Sequence, residues 1–130
     1  MQKLNFGGIQ GTVIALSPHN SYFLVKLSER AVIRGIYTKD FVWDETTDNV
    51  KGFHPNLFTL YLAVRSTIEA KLLKKTLILA GGKPDEELRQ PRYLKDSPYE
   101  MRIIGLSAES IVQIVSDLTP QLQQQQQQQD

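Results

Sequence analysis

The chain predicts an α+β fold: a small curled antiparallel sheet, or a five-stranded barrel, in the order β-β-β-α-β-β-α with a C-terminal helix. Three observations carry this. Strand-like runs follow one another from Gly7 to Phe41 with turn residues between them. An apolar stripe at three- and four-residue steps begins after Pro55, and a second such stripe lies shortly before a glutamine run.

The first strand is expected over Ile9 to Leu16. Gly7, Gly8 and Gly11 lie near or inside it, and glycine in a strand marks a bulge or bend. Ser17-Pro18-His19-Asn20 has turn composition. From Tyr22 to Leu27 the side chains alternate, with Phe23, Val25 and Leu27 forming a wholly apolar set that should face the core. Ser28-Glu29-Arg30 turns the chain into a third strand, Val32 to Thr38, where Gly35 again suggests a bend. Asp40 to Pro55 is locally acidic and loop-like, bracketed by Trp43 and Phe53.

Asn56 to about Leu72 fits a helix, since Leu57, Leu60, Tyr61, Val64, Ile68 and Leu72 fall on one stripe. Thr76 to Ala80 fits a short buried strand ended by Gly81-Gly82. Lys83 to Tyr99 contains Pro84, Pro91 and Pro98 and reads as a long loop with one helical turn at Asp85 to Arg89. Met101 to Leu106 is the fifth strand. Ser107 caps a last helix whose face is Ile111, Val112, Ile114, Val115 and Leu118, and Thr119-Pro120 should stop it. Residues 1–120 are therefore expected as one globular domain and residues 121–130 as a disordered Gln-rich tail.

Strands one to three, then a helix, then two strands is an element order that resembles the OB-fold, a Greek-key barrel. The resemblance is one of topology, covers about Ile9 to Leu106, and rests on no motif specific to that family. An open mixed sheet with two helices on one face fits the same elements.

Composition limits the chemistry. Of 130 residues, 41% are hydrophobic and 22% charged, as in an ordinary globular protein, and the formal net charge of +1 imposes no polyanionic partner. There is no cysteine, which removes disulfides, thiolate metal sites and thiol nucleophiles. No run approaches the roughly 20 apolar residues of a membrane helix. The N-terminal stretch lacks a secretory h-region, so a cytoplasmic location is expected. His19 and His54 have no second ligand at metal spacing, and Glu86, Glu87 and the acids of residues 44–48 read as solvated loop charges. Gly81-Gly82-Lys83 fails the phosphate-loop pattern, because Leu77 and Pro84 stand where glycine and Ser/Thr are required. No cofactor, metal or enzymatic activity is expected.

Two functions remain. The first is a non-catalytic interaction module, an accessory or adaptor subunit that binds a protein partner with Trp43, Phe53 and Tyr93 as aromatic anchors. The second is a single-stranded nucleic-acid-binding barrel. It would use Tyr22 to stack bases, with Lys26, Arg34, Lys71, Lys74, Lys75 and Lys83 tracking phosphates. The charge is unevenly spread: residues 56–83 carry about +4 and residues 84–130 about −4.

Overall fold

Two adjacent glycines start the sheet. In the computed structural model, which describes residues 3–17, 22–36, 43–44, 49–50, 58–85 and 87–129 (without side chains for 43–44, 49–50 and 119–129), Gly7 and Gly8 both have positive φ, 58° and 93°. That pair closes a two-residue hairpin, because its twist matches that of the flanking strands. The hairpin joins β1 (Lys3–Phe6) to β2 (Ile9–Ser17), with Phe6 opposite Ile9, and the Gly8 N–H donates to Asn5 Oδ1 at 2.8 Å. β1 is a strand the sequence reading omits.

The sheet then continues through β3 (Tyr22–Ser28), β4 (Ala31–Ile36), β7 (Phe58–Val64), β9 (Tyr99–Leu106) and the two-residue β8 (Lys83–Pro84). These seven strands, in the order β1-β2-β3-β4-β7-β9-β8, are antiparallel throughout. The two-residue β5 (Trp43–Asp44) and β6 (Asn49–Val50) pair with each other and extend the β1 edge, β6 running parallel to β1. No pairing joins the β8 edge to the β5 edge among the described residues. The sheet is open, and its antiparallel part has seven strands where five were expected.

The expected helix at Asn56 to Leu72 is two elements. Residues 58–64 form β7, and α1 is Thr67–Leu79. In β7, Phe58, Leu60, Leu62 and Val64 join the main core, while Tyr61 and Ala63 join a smaller cluster on the other face. A central strand covered on both faces is nearly all apolar, so it satisfies a helical and a strand period at once. The expected strand at Thr76 to Ala80 is the end of α1. There Gly82 N–H donates to Leu77 O and Gly81 N–H to Ile78 O, both at 3.0 Å, with Gly81 at φ +89°. This Schellman ending makes Gly81-Gly82 a helix stop.

α2 (Ala108–Gln129) opens on Ser107, whose Oγ accepts from the Ser110 N–H at 3.2 Å. Its helical backbone continues past Pro120, where a stop was expected. Both helices lie on one face of the sheet. The core between the layers unites Ala70 and Leu77 of α1 and Ile111, Ile114, Val115 and Leu118 of α2 with Phe6, Phe23, Val25, Ile33, Leu60 and Ile103. Phe58 meets Phe6 and Phe23 edge-on, with ring centroids 5.2 and 6.3 Å apart.

Neither Gly11 nor Gly35 is the predicted bend; the register shifts fall at Val13/Ala15, Lys26/Ser28 and Phe58/Leu60. A Cβ on Gly35 would stand 1.8 Å from the Phe23 ring, and one on Gly11 would stand 2.6 Å from Val25. These glycines make room for side chains of the neighbouring strand.

Candidate protein-docking surface

α1 is held at both ends. At its start Ser66 Oγ accepts from the Glu69 N–H at 3.1 Å. The Glu69 carboxylate in turn pairs with Arg30, whose Nη2 also donates to Ala63 O at 3.0 Å. Arg30 is buried at the β3–β4 turn, so this pair fixes the first turn of α1 to the sheet. At the far end Ser110 Oγ of α2 donates to Ala80 O at 3.3 Å. Between these anchors the small Ala70 and Leu77 face the core.

The opposite side of α1 is apolar too. Ile68, Leu72, Ile78 and Leu79 are 72, 63, 60 and 89% exposed. Ile68, Leu72 and Leu79 lie four and seven residues apart, on one line along the helix. Lys75 completes that line between Leu72 and Leu79, and exposed Lys71 stands beside it. Sequence reasoning placed Ile68 and Leu72 on the core stripe; the structure turns them to solvent.

Of the expected aromatic anchors, only Tyr93 has a described side chain. Tyr93 is half-buried against Tyr61, edge to face with ring centroids 4.8 Å apart. Trp43 contributes its backbone to β5 opposite Val50, and Phe53 lies outside the described residues. Tyr93 belongs to a segment that is pinned down. The buried Glu100 Oε2 accepts backbone N–H bonds from Arg92, Tyr93 and Leu94 at 3.2, 3.1 and 3.4 Å. Arg89 pairs with Glu100 through both backbone hydrogen bonds, so it is extended where a helical turn was expected. The expected long loop is thereby folded over the second face of the sheet, above Leu24, Val32, Tyr61 and Ala63.

Of the expected nucleic-acid residues, Tyr22, Lys26 and Arg34 share that second face, as strand alternation demands. The Arg34 guanidinium carbon sits 4.8 Å from the Tyr22 ring centroid, over the surface on which a base would stack. Lys26 Nζ pairs with Glu29 at 3.3 Å. Lys71, Lys74 and Lys75 are on α1, in the layer on the other side of the sheet, and Lys83 is on the edge strand β8. The two sets of cations do not converge.

A cleft of about 360 Å³ opens beside the β3–β4 turn, lined by Lys26, Glu29, Arg30, Arg65, Lys95 and Asp96 among others. Its charges are mixed, and its hydroxyl at Ser97 is engaged as a donor to Val64 O at 2.9 Å. Among the described residues no group of three or more His, Cys, Asp or Glu side chains could hold a metal ion, and both histidines lie outside them. No helix among them is long and apolar enough to cross a membrane. Comparison with protein-family models, with curated proteins and with solved structures returns no match to this chain.

Proposed function

We propose that the chain is a non-catalytic interaction module, an accessory or adaptor subunit, which docks a protein partner on the outer face of α1. One observation carries this reading: four large apolar side chains stand more than half exposed on a helix anchored at both ends. Fraying does not account for such exposure, and large apolar side chains exposed together on a rigid element mark a contact site. This reading rests on Ile68, Leu72 and Leu79; Phe53 and the Trp43 side chain, expected as anchors with Tyr93, lie outside the described residues.

The test is a photo-crosslinking amino acid at position 79, in cells that express the full chain, with position 29 on the exposed β3–β4 turn as control. The expected result is one discrete protein adduct from position 79 that is absent from position 29, is lost in Leu72→Asp, and re-forms with the purified protein identified from it. Absence of a discrete adduct, or the same adducts from both positions, overturns the reading.

Single-stranded nucleic acid is the second reading. The shared face of Tyr22, Lys26 and Arg34 favours it, and the pairing of Arg34 with the Tyr22 ring weighs against it. Labelled oligonucleotides at low salt should show no anisotropy change. Micromolar binding that falls steeply with salt would reverse this ranking.

A further inference from the structure

The exposed line on α1 has the spacing of a helix-pairing seam. Ile68, Leu72, Lys75 and Leu79 follow one another at steps of four, three and four, the alternation that keeps one face toward a partner helix. The seam is about 16 Å long at 1.5 Å per residue. Its one polar member is a lysine, and Lys71 flanks it. The acid of the helix, Glu69, is already engaged by Arg30.

We infer that the element covering α1 is an amphipathic helix of another protein, with acidic residues beside its apolar seam; this rests on the protein-docking reading above. A second copy of this chain fits poorly. Parallel pairing sets Lys75 against Lys75, and antiparallel pairing about the middle of the seam sets each Lys75 against Leu72. Both leave two lysines in the contact without a carboxylate, which is unfavourable once water is excluded. A carboxylate on a partner helix compensates Lys75 and fixes register. A lipid surface fits less well also. Helices that lie in a bilayer interface keep lysines at the rim of the apolar face, and Lys75 is in its middle.

The experiment uses the full chain and two synthetic helical peptides of about 14 residues, matching the length of α1. Both carry Leu and Ile at the seam; one has Glu and the other Lys at the flanking positions. Anisotropy should show the Glu peptide binding at least about tenfold more tightly than the Lys peptide. Lys75→Glu should reverse that order, and Leu72→Asp should abolish binding of both. Equal binding of the two peptides, or no reversal in Lys75→Glu, overturns the acidic partner and leaves the docking reading standing. So does binding of neither peptide while the position-79 adduct persists; loss of both sinks both. Self-association that disappears in Leu72→Asp assigns the face to a second copy. Partition onto vesicles of equal phosphatidylserine and phosphatidylcholine that disappears in the same variant assigns it to a membrane. Either outcome overturns the inference.

Discussion

The two helices lie on the same face of one sheet and treat their apolar residues in opposite ways. α2 turns Ile111, Ile114, Val115 and Leu118 inward, and all four are buried. α1 buries the smaller Ala70 together with Leu77, and leaves Ile68, Leu72, Ile78 and Leu79 outside. Burying a large aliphatic side chain is worth about 1.5–3 kcal/mol, so the buried face of α2 contributes to folding what the exposed side chains of α1 do not. An apolar pattern in a helix therefore identifies surfaces that need covering, without saying whether the same chain covers them.

The widest separation between the helices should come from Ile111→Ala, which empties a fully buried site in α2. Urea unfolding should show a loss of about 2–5 kcal/mol. Ser66→Ala removes the N-cap that seats α1 and should cost about 1 kcal/mol in the same assay. It should also lower binding at the outer face, since that face is presented by the anchored helix. The smallest effect belongs to Leu79→Ser, which should alter stability by no more than about 0.5 kcal/mol while weakening capture at α1. If Leu79→Ser costs as much as Ile111→Ala, then the outer face is covered by the chain itself and the contrast between the helices collapses.

Much of the sheet was legible. In β3 the alternation of Phe23, Val25 and Leu27 identified the core face, because a strand with one fully buried side repeats every second residue. The same rule accounts for buried Ile33 beside exposed Arg34 in β4, and the periodic stripe of α2 named its buried residues. The boundary between β7 and α1 was also present in the chain. Ser66-Thr67-Ile68-Glu69 has the Ser-x-x-Glu form of a capping box, and it separates a run rich in aromatic and aliphatic residues from a run rich in lysine and leucine. The three- and four-residue stripe that began at Leu57 ran across that signal and hid it. The candidate surface was lost for the same reason, since Ile68 and Leu72 had been assigned to the core with Leu60 and Val64.

The amino-acid sequence by itself determined the alternating strand β3 and the cap at Ser107; it also carries the Gly7-Gly8 hairpin, the Ser66 cap and the Gly81-Gly82 helix stop, but the glycine pairs fit a strand bend and a strand end equally well, and the apolar stripe hid the cap. Tertiary structure decided what the residues 58–64 became, that the sheet stayed open, and which side of α1 was seated. The physical reason is that β7 is covered on both faces and α1 is apolar on both sides, so periodicity alone leaves each with two solutions. The Arg30–Glu69 pair and the close packing of Ala70 and Leu77 selected the side of α1 that faces the sheet. That choice left Ile68, Leu72 and Leu79 pointing outward.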